Sequence, residues 1–248
     1  MDLSGSTIAI IAATFLLAGL VKGVTGMGLP TVAMGVLGGI LGPVTAAGLL
    51  VVPTLVTNLW QLAAGPHKSM LARRLWTMTL ATFAGTIAGT FILTSGNTRI
   101  VTGALGVVLV VYAAYTLLAP TIHVAAKWER FLSPVMGLAT GALAGATGVS
   151  VVPAAPYLAS LGLKRDELIQ ALGLSFTTST LALGLALRFH GALAMTQLTM
   201  SSLALAPAFA GMIAGQWLRA RISPPTFRRA FLICLFALGM EMIVHSFT

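Results

Sequence analysis

The sequence predicts an all-α protein with several membrane spans, and three observations carry that prediction. Apolar residues make up 57% of the chain and charged residues only 8%, whereas roughly a quarter of the residues of a soluble domain are charged. Several apolar stretches reach the roughly 20 residues that a helix needs to cross a bilayer. A glycine-rich interruption also occurs twice, which indicates two homologous halves.

The two interruptions align with each other at four identical residues. The first, GLVKGVTGMGLP, covers residues 19–30, and the second, GLATGALAGATGVSVVP, covers residues 137–153. Each of four residues in the second lies 122 positions after an identical residue in the first: Gly141, Gly145, Thr147 and Gly148. Because Gly costs about 1 kcal/mol and Pro about 3 kcal/mol in a helix interior relative to Ala, neither stretch is expected to continue as a regular helix.

Paired breaks of this kind are typical of secondary transporters whose site lies between two repeats. At membrane depth, irregular backbone is tolerated where it is buried in protein or lines a cavity. The chain therefore divides into a first transmembrane repeat at residues 1–120, a connector at 121–131, and a second repeat at 132–248.

In the first repeat, residues 7–41 as one helix would be about 52 Å long, against a hydrocarbon core of about 30 Å. We therefore expect this segment to bend back, with a turn at 23–30 and a second arm at 31–41 that is too short to cross. The segments predicted after it are a span at 44–64, a basic loop at 67–74, and spans at 76–93 and 98–118.

The second repeat follows the same plan. Its predicted segments are a broken segment at 132–163, a polar corner at 164–167, a span at 168–187, a turn at 188–191, a span at 193–218, an arginine-rich loop at 219–229, and a last span ending near 244. Gly211 and Gly215 follow Gly85 and Gly89 by 126 positions, so the two repeats differ by one insertion of four residues.

The charge asymmetry of matched loops is reversed between the repeats. The positive-inside rule then places the loop at 67–74, the connector and the loop at 219–229 in the cytoplasm. This favours inverted repeats, each with a broken or re-entrant hairpin followed by three spans, and both termini outside. The alternative, eight plain spans in two parallel repeats, would put one basic loop on the wrong side.

Lys22 lies within the first break. A charge at the bilayer centre costs on the order of 3 kcal/mol, and such residues usually face a cavity or a partner. Lys22 is therefore a candidate contact for an anionic substrate. The alternative is a lysine that extends from a helix end to the membrane interface.

The breaks also expose backbone N–H groups, and a half-helix that begins after a break presents the positive end of its dipole. Such an arrangement suits an oxyanion. The predicted substrate-binding residues of the two breaks, besides Lys22, are Thr25, Gly26, Gly28, Thr147, Gly148 and Ser150. Tight helix packing by small residues is the alternative explanation of the glycines.

Two polar clusters occupy matching spans. The first contains Thr54, Thr57, Asn58 and Gln61, and the second contains Ser175, Thr177, Thr178, Ser179 and Thr180. Within them, the predicted substrate contacts are Thr57, Asn58, Ser175, Thr178 and Ser179. Ser and Thr in membrane helices often bond to their own i−4 carbonyl, which leaves Asn58 as the strongest candidate, because a buried amide needs partners.

Other chemistry is not indicated. The residues form no acid/base pair, nucleophile motif or Cys/His metal spacing, so we expect no catalytic site, no metal and no cofactor. Cys234 is the single cysteine. Glu241, in the last span, is the one acidic candidate for a proton or ion-pair role. The net charge is +9, and the basic residues lie in short loops at helix ends. This placement is typical of membrane proteins and argues against nucleic-acid binding.

These motifs give the chain a resemblance to the sulfite exporter TauE/SafE family, also called the toluene sulfonate uptake permease family. The residues that carry it are GLVKGVTGMG, GALAGATG, Pro30 and Pro153, ALGLSFTTST, and AGMIAGQWLRARISPPTFRRAF. The resemblance implies a multi-pass carrier in the bacterial inner membrane that moves sulfite, organosulfonates or related sulfur-containing acids.

From the resemblance and the repeats together, we expect a secondary transporter that works by alternating access. An anion channel, or a carrier of a non-sulfur carboxylate, remains an open alternative. The expected partners are a small anion and the lipid bilayer, and a homodimer is left open. We further expect the two breaks to lie close together near the membrane midplane, around one cavity.

Overall fold

The protein is a bundle of α-helices in a computed structural model that describes residues 5–118, 123–219, 221 and 224–247. The helices of the first repeat are α1 (Gly5–Thr25), α2 (Leu29–Leu41), α3 (Pro43–Ala63), α4 (Lys68–Arg74), α5 (Trp76–Ser95) and α6 (Thr98–Leu118). Those of the second repeat are α7 (Ala126–Thr147), α8 (Ala154–Ser160), α9 (Arg165–Phe189), α10 (Met195–Leu203), α11 (Leu205–Arg219) and α12 (Pro224–Phe247).

Within the described residues, seven helices are long and apolar enough to cross a membrane, with α10 and α11 together forming one of them. The all-helical, multi-pass class predicted from the sequence is thereby confirmed. Pro207 explains the turn between α10 and α11, because a proline has no N–H to donate to the carbonyl four residues earlier. Helix α2, with 13 residues, extends about 20 Å and is too short to cross.

The first break is shorter than the sequence predicts. Helix α1 continues through Lys22 and ends at Thr25, and α2 begins at Leu29, so the predicted turn at 23–30 is confined to 26–28. The chain reverses where Gly26 and Gly28 take left-handed conformations with φ of 81° and 99°. Such φ values favour glycine because it lacks a Cβ.

The second break resembles the first at its start and differs after it. Gly148, which corresponds to Gly26, is also left-handed, with φ of 73°, and caps α7. The returning helix α8 has only 7 residues.

Helix α7 begins at Ala126, so residues 126–131 of the predicted connector are helical. Glu129, in the first turn of α7, forms an ion pair with Arg74.

The first helix of each repeat packs in parallel against a helix of the other repeat. Gly19 and Gly23 of α1 lie so close to α11 that an added methyl group would overlap the carbonyls of Ala208 and Met212. The corresponding Gly141 of α7 lies equally close to the carbonyl of Thr82 in α5. The glycines at matching repeat positions thus bring backbones together at two equivalent crossings, as small residues do between membrane helices.

Each remaining long helix packs against the equivalent helix of the other repeat, and the two helices of each pair run antiparallel. A methyl group at Gly173 of α9 would lie 2.9 Å from the backbone nitrogen of Leu62 in α3, and one at Gly184 would lie 3.0 Å from Cγ1 of Val51. Rising residue numbers in α9 therefore meet falling numbers in α3. Helices α6 and α12 show the same antiparallel relation, with Gly103 beside Ser246 and Gly106 beside Gly239.

Helix α3 contains Pro53, and a side chain from the other repeat satisfies the backbone carbonyl that the proline leaves free. Pro53 cannot donate to the carbonyl of Leu49. The hydroxyl of Ser201 in α10 donates to that carbonyl at 2.6 Å, and the N–H of Val52 donates to the same hydroxyl at 3.0 Å. These hydrogen bonds fix α3 at the turn next to Thr54, Thr57 and Asn58.

Candidate functional site

The first predicted site residue, Lys22, is buried in the last turn of α1. Its side chain is 4% exposed, and its ammonium group donates a hydrogen bond to the amide oxygen of Asn58 in α3. The prediction that both residues belong to one site is consistent with this contact. A lysine that extends to an interface would be exposed at its tip, so the structure does not support the alternative reading.

Among the residues that the structure describes, no carboxylate pairs with Lys22. Glu129 is paired with Arg74. The other acidic residues that the structure describes, Asp166, Glu167 and Glu241, are exposed or lie at the start of α9. Asn58 is 0% exposed and neutral. A buried ammonium without a carboxylate is unfavourable unless an anion or several hydrogen-bond acceptors compensate it.

The break beside Lys22 adds a helix N-terminus to this environment. Helix α2 begins at Leu29 after Gly28, and no side chain caps it. The hydroxyl of Thr31 in the first turn of α2 is 0% exposed and has no partner among the described residues. The expectation of a half-helix N-terminus near Gly28 is therefore confirmed for the first break.

Thr25 holds the turn itself. Its hydroxyl lies within hydrogen-bond distance of the carbonyls of Val21, at 2.9 Å, and Met27, at 2.7 Å, and it donates its single proton to one of them at a time. Gly26 and Gly28 supply the left-handed backbone of the same turn. These three residues shape the break, and a contact between them and a substrate stays a prediction.

The second break contains less polar chemistry than the first. Thr147 donates to the carbonyl of Leu143 at 2.7 Å, and the N–H of Val149 donates to Thr147 at 3.3 Å. Ser150 is 4% exposed, and Gly148 packs against the side chain of Met34 in α2. The position that corresponds to Lys22 is Ala144, so the repeat symmetry does not extend to the charge.

Most hydroxyls of the polar clusters bond to their own helix. Thr57 donates to the carbonyl of Pro53 at 2.7 Å, Thr178 to that of Leu174 at 3.0 Å, and Ser179 to that of Phe176 at 3.2 Å. This is the i−3 or i−4 bonding that membrane helices favour for Ser and Thr. A role of these three in substrate binding remains a prediction.

Ser175 faces a different neighbour from the one expected. It lines an apolar cleft between α9 and α5, together with Met78 and Thr79, and its hydroxyl has no partner among the described residues. Gln61 has a structural role, because its amide donates to the carbonyl of Ile169 at 2.8 Å. Glu241 is exposed on α12, and its proton or ion-pair role stays a prediction.

Within the two polar clusters, the predicted set omitted Thr54 and Thr177. Each hydroxyl is buried and lacks a hydrogen-bond partner among the described residues, and so does the amide nitrogen of Asn58. The signal available in the sequence was the spacing of Thr54, one helical turn before Asn58, which places both on one face of α3.

Several helix ends that carry basic residues meet at one end of the bundle. Arg74 makes a bidentate ion pair with Glu129, with nitrogen–oxygen distances of 2.7 and 2.8 Å. The hydrogen bond from Arg74 to this carboxylate raises the pKa of the guanidinium. The N–H of His67 donates to Gln170 at 2.9 Å, so the loop at 67–74, the start of α7 and the start of α9 share one end.

Comparison with known families agrees with this architecture. The family model described as sulfite exporter TauE/SafE matches residues 11–242. The chain belongs to the sulfite exporter TauE/SafE family. It is accordingly a multi-pass membrane protein of a family of transporters for sulfur-containing anions. No curated protein and no solved structure gives a significant match.

Proposed function

We propose that the protein is a secondary carrier of a small sulfur-containing oxyanion, with sulfite and organosulfonates as substrates, in the bacterial inner membrane. The observation that carries the proposal is the buried ammonium of Lys22, which is bonded to the neutral Asn58 and has no carboxylate beside it among the described residues. An anion in this place supplies the missing negative charge. No cofactor or metal is part of the proposal.

Charge and polar chemistry around Lys22 favour an oxyanion. Helix α2 begins at Leu29, seven residues after Lys22, and no side chain caps its N-terminus. The N–H groups and the dipole at this helix end favour negative charge. The unpartnered amide of Asn58 adds further N–H donors. An apolar or cationic substrate would leave all of these donors unsatisfied, which costs on the order of 1–3 kcal/mol for each buried group.

The helix directions support inverted repeats. A two-fold axis along the membrane normal would make equivalent helices parallel, whereas an axis in the membrane plane makes them antiparallel. Helices α3 and α9 are equivalent and antiparallel, and so are α6 and α12. We therefore propose two repeats at 1–120 and 132–248 in opposite orientations, the arrangement that underlies alternating access in many carriers.

The charge distribution supports a cytoplasmic location for the basic end of the bundle. Apart from Lys22, Arg99 and Arg188, every lysine and arginine lies in the segments at 67–74, 127–130, 164–165 and 219–229. The positive-inside rule assigns such segments to the cytoplasm. Labelling of single cysteines with an impermeant reagent in intact cells, after replacement of Cys234, tests this: sites in 67–74 and 219–229 should both be protected.

Transport itself is tested by counterflow. Purified protein in liposomes preloaded with unlabelled sulfite should accumulate labelled sulfite transiently, and methanesulfonate should compete while acetate should not. A flux that never saturates and shows no counterflow would indicate an anion channel. Counterflow with acetate in place of sulfite would indicate a carboxylate carrier.

A further inference from the structure

The amide of Asn58 has a defined orientation because of its partner. A lysine ammonium has three donors and no acceptor, so the amide oxygen of Asn58 must face Lys22. The NH2 group then points elsewhere. It is buried, since Asn58 is 0% exposed, and it has no acceptor among the described residues.

Thr54 lies one helical turn before Asn58 on the same face of α3. Its side chain is 0% exposed, and its hydroxyl has no partner among the described residues. A helical threonine usually donates to its i−4 carbonyl, as Thr57 does nearby at 2.7 Å. The unpartnered hydroxyl of Thr54 is thus a second donor beside the amide of Asn58.

A third donor comes from the other repeat. Helices α3 and α9 run antiparallel, with Gly173 against Leu62 and Gly184 against Val51. In this register, Thr177 lies at the level of Asn58 across the seam between α3 and α9. The hydroxyl of Thr177 is buried and also has no partner among the described residues.

We propose that Thr54, Asn58 and Thr177 supply the neutral hydrogen-bond donors to the anion whose charge Lys22 balances, so that the substrate lies in the seam between α3 and α9. This inference rests on the proposed anion transport and adds the residues that determine specificity. Buried polar groups are normally paired, and a bound oxyanion with three oxygens would pair all of these groups at once.

The donor chemistry sets which anions fit. The ammonium and the amide NH2 cannot accept a hydrogen bond. A sulfonate presents three acceptor oxygens to such a site, whereas the isosteric sulfonamide is neutral and presents N–H groups where acceptors are needed. The site therefore takes methanesulfonate and sulfite and excludes methanesulfonamide.

The test replaces each hydroxyl with a methyl group of similar size. Thr54→Val and Thr177→Val should weaken sulfite binding by about tenfold each, the scale of a hydrogen bond to a charged group. Neither change should destabilise the empty protein, because the hydroxyls have no protein partner to lose. Binding is measured by microscale thermophoresis with sulfite and methanesulfonate, and stability by thermal unfolding in the same detergent.

Thr82→Val is the matched control. Thr82 is also 0% exposed with an unpartnered hydroxyl, but it lies in α5 against α7. This variant should bind sulfite as the wild type does. Thr54→Ser retains a hydroxyl and should keep its affinity, which distinguishes a donor from a packing role and covers the case in which Thr54→Val does not fold.

The outcomes separate the two proposals. If the wild type binds sulfite and Thr54→Val and Thr177→Val bind it equally well, these donors are not part of the site, although anion transport stands. If the wild type binds neither sulfite nor methanesulfonate, both the site and the proposed function are wrong.

Discussion

Gly19→Ala tests whether close backbone contact between the repeats stabilises the fold. The added methyl group would overlap the carbonyl of Ala208, which is backbone and cannot rotate away. Helices α1 and α11 must then separate, and overpacking of this kind typically costs about 1–3 kcal/mol. Alanine also gains up to about 1 kcal/mol of helix propensity relative to glycine, which partly masks that cost.

Gly39→Ala isolates the overlap. Gly39 lies in α2, and a methyl group there would meet nothing within 4 Å. The Gly39→Ala variant gains the same helix propensity as Gly19→Ala without a steric overlap, so it should be neutral or stabilising by up to about 1 kcal/mol. The difference between the two variants then gives the cost of the overlap, about 1–3 kcal/mol.

Gly141, which corresponds to Gly19 in the second repeat, should behave in the same way. Gly141→Ala at the equivalent crossing would overlap the carbonyl of Thr82 and should destabilise the protein about as much as Gly19→Ala. The measurement is denaturant or thermal unfolding in one detergent at matched concentration. Equal stability of the Gly19, Gly141 and Gly39 variants would refute the reasoning.

Two further predictions concern contacts between the repeats. Ser201→Ala removes the donor to the carbonyl of Leu49 and should lower the free energy of unfolding by about 1–3 kcal/mol. The control is Ser202→Ala, which should be near neutral because Ser202 is exposed and bonded to its own helix. Similar unfolding midpoints for both variants would contradict the role of Ser201. Glu129→Gln removes the partly exposed ion pair with Arg74. Unfolding should show a loss of stability of only about 0–1 kcal/mol, and a smaller loss at high salt. A larger loss that salt does not reduce would show that the pair is more than a surface contact.

The sequence predicted the membrane class and the positions of the breaks well. Their causes are local, because glycine at 26, 28 and 148 permits a left-handed turn that other residues avoid. It did not predict that α1 stays helical through Lys22. That outcome depends on the packing of Gly19 and Gly23 against α11, which is far away in the sequence.

The candidate site was only partly predictable for the same reason. Lys22 was identifiable from its charge in apolar surroundings, but its bond to Asn58 spans 36 residues and depends on tertiary structure. Sequence spacing likewise cannot tell a hydroxyl that bonds to its own helix, such as Thr57, from one left unpartnered, such as Thr54. That difference is set by the side-chain rotamer and by the register of neighbouring helices.

The most direct test of the central claim is the affinity of Lys22→Met for sulfite, compared with the wild type at matched membrane abundance. Methionine keeps the approximate length of the side chain and removes its charge, so binding should weaken by more than tenfold, or at least about 1.4 kcal/mol. Lys22→Arg should not restore it fully, because the planar guanidinium fits a site built for a compact ammonium poorly. Sulfite affinity and uptake in Lys22→Met equal to those of the wild type would contradict the account.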